Sequence, residues 1–158
     1  MLRKLWTDFL SLLVRRPSRF QVAALCWREA GQGIEVLLIS SRTTKRWILP
    51  KGWPKSGQNA AGTALEEAWE EAGIRIDGPP PSKVGHYTYH KRLEGDVPAH
   101  TVVDVYAIHA DRLLDSYPEA GERDRQWFSP EQAADLVQEP DLASLLREAP
   151  RLIAALPN

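Results

Sequence analysis

Glu66, Glu67, Glu70 and Glu71 place four carboxylates within six residues of one predicted helix. That helix reads from Asn59 or Gly62 to Ala72, is dominated by Ala, Leu and Glu, and stops at Gly73. At about 100° per residue, Glu67, Glu70 and Glu71 project within about a 100° arc. Like charges three and four residues apart weaken a helix by roughly 0.2–0.5 kcal/mol per pair, so something should compensate them. Hard divalent cations take several carboxylate oxygens from one face and complete their shell with water and substrate phosphates. A Glu-rich helix can equally be a solvated face. What separates the two readings is the context: a loop from Gly52 to Gln58 enters the helix, Gly73–Ile74 leaves it, and Lys51 and Lys55 flank the entry.

The rest of the chain predicts one mixed α/β unit. Its 158 residues, 43% hydrophobic and 26% charged, suffice for one domain without a disulfide or metal staple. Cys26 has no cysteine to pair with and reads as a buried strand residue. Met1–Val14 carries a helical apolar stripe and no small-residue cleavage site, so residues 1–16 are expected as an amphipathic helix and 17–158 as the domain. No apolar run reaches the ~20 residues of a membrane span, and a cytoplasmic protein without a membrane partner is expected. Phe20–Trp27 and Ile34–Ser40 predict a hairpin, and Trp47–Leu49 a short strand stopped by Pro50. Val84–His90 and Thr101–Ile108 read as strands around a Gly95–Pro98 turn, with Arg125–Phe128 as another. Ser129–Pro130–Glu131 starts a helix to about Val137, and Leu142–Glu148 and Arg151–Leu156 read as two short helices. Most of the six tryptophans are expected in the core, and the four scattered histidines lack metal-ligand spacing.

Net charge is −1 but divides unevenly: residues 1–58 hold 11 basic and 3 acidic residues, residues 59–158 hold 9 and 18. The balance argues against a nucleic-acid-coating protein, which would be basic overall. A basic first part can attract a polyanion, and an acidic second part can hold cations.

The segment Gly52–Ile74 resembles the Nudix hydrolase family, whose box is written G-x5-E-x7-R-E-U-x-E-E-x-G-U, with U a bulky apolar residue. Gly52, Glu67, Glu70, Glu71, Gly73 and Ile74 match it at the required spacings. Gln58 stands where the family has Glu, Glu66 where it has Arg, and Ala68 where a larger apolar residue is usual. In the family the first Glu and the Arg brace the loop against the helix; here a Gln58 amide donating to the Glu66 carboxylate would keep a brace of altered polarity. The resemblance implies a Nudix-type α/β/α sandwich with a mixed β-sheet. It also implies hydrolysis of an organic diphosphate with Mg²⁺ or Mn²⁺. The metal site it implies is the Gly52 carbonyl with Glu67, Glu70 and Glu71. These three glutamates and Glu122 are the catalytic candidates, the water's base being Glu67 or a loop carboxylate, Glu119 or Glu122.

Arg42, Lys45, Arg46, Lys51 and Lys55 surround the entrance to the box, and Trp53 sits beside the predicted metal site. These six are the substrate-binding candidates, since fixed basic side chains suit densely phosphorylated ligands. The run Trp47-x-Leu49-Pro50-Lys51-Gly52, with Glu122, Arg123, Trp127 and Phe128, resembles the diphosphoinositol polyphosphate phosphohydrolase branch. That branch implies a phosphorylated small-molecule substrate, either a diphosphoinositol polyphosphate or a dinucleoside polyphosphate. A nucleotide-sugar pyrophosphatase and a non-catalytic ligand sensor remain as alternatives.

Overall fold

The computed structural model describes residues 19–92 and 98–157. The helix expected over 1–16 and most of the Gly95–Pro98 turn lie outside the described residues. The remaining elements are β1 (Arg19–Ala30), β2 (Gly33–Ser40), β3 (Trp47–Ile48), β4 (Lys51–Gly52), α1 (Ala60–Ala72), β5 (Ile74–Arg75), β6 (Ser82–Arg92), β7 (Pro98–His109), β8 (Arg112–Leu113), β9 (Arg125–Phe128), α2 (Pro130–Leu136) and α3 (Pro140–Ala154).

The hairpin of β1 and β2 is present, but its strands pair only from Trp27–Ala30 to Gly33–Val36. Beyond that they part. On the side of β1 facing β2, Val22 and Ala23 pair instead with Gly52 and Lys51 of β4, and on β2, Ile39 and Ser40 pair with β3. The short run Trp47–Gly52 thus wedges into the open end of the hairpin. Pro50 breaks its strand character, and the Pro50 carbonyl accepts from the Ala24 N–H at 2.9 Å. The other side of β1 pairs in parallel with β7, Arg19–Trp27 against Thr101–His109. β7 pairs antiparallel with β6, and β2 with β9, so the sheet is mixed.

Alternation along β1 and β2 divides the apolar residues between two layers. Val22, Ala24, Cys26, Leu37 and Ile39 pack with Ala64, Ala68 and Ala72 of α1. Ala23, Leu25, Val36 and Leu38 pack with Ala133, Ala134, Leu142, Leu145, Leu146 and Ile153 of α2 and α3. This is the expected sandwich of helices on both faces of a mixed sheet. Small alanines on the inner face of α1 let its backbone sit close to the sheet, which brings the glutamates beside them to the wedge.

Two expectations are corrected. Leu142–Leu156 does not split at Pro150: α3 runs through it. A helix-interior proline costs about 3 kcal/mol. Here the ring is exposed, and continuing the helix buries Ile153, worth roughly 1.5–3 kcal/mol, with Leu152 and Leu156 against the same core. The tryptophans are the second case. Among the described residues none is fully buried: Trp27, Trp47, Trp69 and Trp127 are half-buried and Trp53 is exposed. The core is aliphatic around one enclosed aromatic, Tyr87. Cys26 is buried as expected, and burial pushes its thiol up to about 12.

Candidate active site

The site forms where α1 crosses the wedge. Asn59 caps the helix, its side chain accepting from the Gly62 N–H at 2.7 Å. Gly73 ends it in the left-handed conformation, φ 72°. A Cβ at Gly73 would lie 2.7 Å from the Leu114 carbonyl oxygen, so the closing glycine serves packing. Arg125 donates to the carbonyls of Ala72 and Leu114, at 2.8 and 2.7 Å, tying the end of the helix to the 114–123 loop. The Glu119 N–H completes the tie on the Glu70 carbonyl at 3.0 Å.

The four glutamates of α1 separate into two pairs. Glu67 and Glu71 are each 7% exposed. The Glu67 carboxylate lies against Gly52, where a Cβ would stand 2.3 Å from its Oε1, so the opening glycine of the motif makes room for a carboxylate. Glu71 Oε2 accepts from the Lys51 N–H at 3.1 Å, and Glu71 Oε1 lies 3.7 Å from the Arg123 guanidinium. Burial pushes the Glu71 carboxyl up to about 8, against the pull of Arg123, with the Glu67 charge adding to the rise. Burial raises Glu67 as well, and a hydrogen bond with Glu71 opposes it. Each carboxylate disfavours the charge of the other in this enclosed setting.

Glu66 and Glu70 face outward. Lys55 Nζ lies 2.5 Å from Glu66 and 3.4 Å from Glu70, and the Gln58 amide donates to Glu66 Oε2 at 2.7 Å. Lys55 first, then Gln58, hold the Glu66 carboxyl below its usual range. The brace expected between Gln58 and Glu66 is therefore present, with Lys55 supplying the charge that the family places on Arg.

Beside Glu71 lies a cleft of about 470 Å³, lined by Gln21, residues 41–44, Arg46, Ile48, Lys51, Gly52, Trp53, Glu71 and Arg123. Of the expected substrate-binding residues it brings together Arg42, Arg46, Lys51 and Trp53. It does not include Lys45, at the exposed tip of the 41–46 turn, or Lys55, spent on the brace. Glu122 is half exposed on the rim, 3.5 Å from Arg42. Glu119 is the better enclosed loop carboxylate; it pairs with Arg42 and, at 3.4 Å, with Arg123, and its charge reaches Glu67.

The sequence reading missed two lining residues. Arg123 appeared only as part of a resemblance, yet it joins Glu71, Glu119 and the Ser40 carbonyl. Gln21, 4% exposed, accepts from the Tyr89 hydroxyl at 2.6 Å; a lone amide in an apolar strand was the available signal.

Among the described residues no three carboxylate, imidazole or thiol groups converge closely enough to cage a metal ion as they stand, and Glu70 lies 3.4 Å from Lys55 Nζ. The donor set nevertheless suits a hard divalent cation. Two buried carboxylates from one helix face offer oxygens that a cation would take, and the Gly52 cradle keeps side-chain bulk away from Glu67.

A family model described as NUDIX domain matches residues 17–149. The chain belongs to the Nudix family. It is 30% identical over 120 residues to human diphosphoinositol polyphosphate phosphohydrolase 3-alpha, covering 75% of this chain and 68% of that protein. It is 29% identical over 123 residues to Nudix hydrolase 16, mitochondrial, of Arabidopsis thaliana, covering 76% and 67%. The fold is shared with a crystal structure of a C. elegans Ap4A hydrolase, at a TM-score of 0.64 and 20% identity over 87% of this chain and 99% of that one. By family, this Nudix protein is a diphosphate hydrolase, and Nudix hydrolases generally need a divalent metal. Among the described residues no helix is long and apolar enough to cross a membrane.

Proposed function

We propose that the protein, through a catalytic unit spanning residues 17–158, hydrolyses a diphosphate linkage in a highly phosphorylated small molecule with Mg²⁺ or Mn²⁺. Diphosphoinositol polyphosphates and dinucleoside polyphosphates are the substrate classes. The observation that carries this reading is a cleft lined by Glu71 and Gly52, with the buried Glu67 carboxylate against Gly52, and walled by Arg42, Arg46, Lys51 and Arg123. Acid below and cations around match a ligand whose phosphates bring negative charge and whose metal brings positive charge.

Glu67 and Glu71 would hold the metal with Gly52, and Glu70 would join them on leaving Lys55. When bound, the ion would supply charge to neutralise phosphate oxygens and to acidify water. The protein's own part is positioning. Arg42, Arg46 and Lys51 bind phosphate oxygens by charge-assisted hydrogen bonds. Arg123, 11% exposed in its side chain, orients Glu71 and Glu119. The proton of the attacking water passes to a carboxylate, Glu67 or Glu119. Trp53, 40% exposed on the rim, offers a face to a base. The intact Gln58–Glu66–Lys55 brace favours a working enzyme over a sensor.

The test is a panel of diphosphoinositol pentakisphosphate, diadenosine tetraphosphate and a nucleotide sugar, assayed for product with and without Mg²⁺. Metal-dependent turnover of either polyphosphate above the nucleotide sugar supports the proposal. Tight binding of a panel member with no turnover on any identifies a sensor instead.

A further inference from the structure

Arg46 in the cleft is paired with a residue 93 positions away in sequence. Its Nη1 turns to the carboxylate of Glu139, at the start of α3, with Gln138 Oε1 at 3.5 Å. Glu139 is 8% exposed and occupies the cap position of α3 without capping it, because its side chain reaches for Arg46. Its second oxygen, Oε2, is buried and has no hydrogen-bond partner among the described residues. A buried carboxylate that forgoes its helix cap and leaves one oxygen unsatisfied is costly to the fold. A solvent-facing ion pair for Arg46 would not have required it.

We propose that Glu139 is a positioning residue that holds the Arg46 guanidinium in the cleft so that its remaining donors, Nε and Nη2, meet ligand phosphate. This rests on the reading of Arg46 as a phosphate-binding residue. The direction of the effect follows from burial. An exposed carboxylate beside a phosphate site would compete with the ligand, and removing it would tighten binding. Glu139 is enclosed behind the guanidinium, close enough to Tyr87 and Tyr89 for its charge to act on both. It anchors one nitrogen of a planar fork that has donors to spare. Without the anchor the long side chain samples other rotamers, and the ligand must reorder it.

The experiment measures binding of inorganic tripolyphosphate and steady-state hydrolysis of diadenosine tetraphosphate with Mg²⁺. Glu139→Gln is expected to weaken tripolyphosphate binding and raise KM about five- to tenfold, with kcat within about twofold. In an Arg46→Ala background the same substitution should do nothing further. Unchanged or tighter binding in Glu139→Gln, or additive effects in the double variant, overturns the inference while leaving the basic wall intact. If Arg46→Ala itself binds tripolyphosphate as well as wild type, the phosphate-binding reading has failed first. Should Glu139→Gln not fold, Arg46→Lys reads the same point, since it keeps the charge and loses the fork. A KM rise at constant kcat supports the proposal, and wild-type KM overturns it.

Discussion

Glu66 and Glu67 are neighbours in sequence and chemically identical, yet they live in opposite worlds. Glu66 lies between Lys55 and Gln58, within reach of solvent, and holds its charge readily. Glu67 lies against Gly52 with Glu71 for company and resists charging. One turn on, Glu70 and Glu71 repeat the division, with Glu70 near Lys55 and Glu71 held up to about 8. The helix therefore carries an outward pair beside Lys55 and a buried pair whose charging the fold opposes. Counting carboxylates cannot tell one from the other; what lies opposite each does.

The largest test of this contrast is substitution by the neutral isostere. Glu67→Gln or Glu71→Gln should cut turnover by about 100-fold or more, since each removes an expected metal ligand. Glu66→Gln should stay within about threefold in the same assay. Glu70→Gln is expected to side with the buried pair; wild-type rate at limiting Mg²⁺ would move it to the brace. Next, Gly52→Ala places a methyl group on the Glu67 carboxylate. Because that is the end of a flexible side chain, Glu67 should give way before the sheet does. Turnover should fall tenfold or more while the melting temperature changes by only a few degrees.

pH offers a smaller effect. Glu71 ordinarily ionises near 4.5 and is raised to about 8 in the fold. The folded state then binds the extra proton, so its contribution to stability is complete below 4.5 and is lost as pH rises toward 8. The slope for one proton is at most about 1.4 kcal/mol per pH unit. Urea unfolding in EDTA from pH 5 to 8 should show this decline, Glu71→Gln should flatten it, and Mg²⁺ should offset it by taking the proton's place. The smallest effect belongs to Lys55. Lys55→Gln frees Glu70 and should tighten Mn²⁺ binding about two- to fivefold by titration calorimetry, the modest scale of an exposed ion pair. Weaker binding would make Lys55 a support of the metal site instead of a competitor.

Much of this was legible from residues alone. Apolar, β-prone runs revealed the hairpin and the long strands, and Asn59, Gly73 and Ser129 marked helix ends. Glycine and glutamate spacing located the site because a tight cradle and one helix face impose exact intervals. The wedge of β3 and β4 was harder to see. Its strands are two residues each, and their partners are chosen by how far β1 and β2 splay apart. The basic residues were read as one cluster because they are close in sequence. In the fold, Lys55 turns down to the brace, Lys45 points off the turn, and Arg46 is claimed by a residue 93 positions away. Pro150 misled for a related reason: a local breaker was outweighed by a distant core.

The parallel pairing of β1 with β7 joins residues 82 positions apart in sequence. β1 is the rail on which Lys51 and Gly52 dock, yet its other edge stays open until residues 101–109 exist to close it. On the ribosome, the helix with its glutamates emerges well before that closure, and a chain halted between the two would present its carboxylates with no finished floor beneath them. Gly52 thus docks on a strand whose second edge is closed by residues that follow the glutamates in the chain.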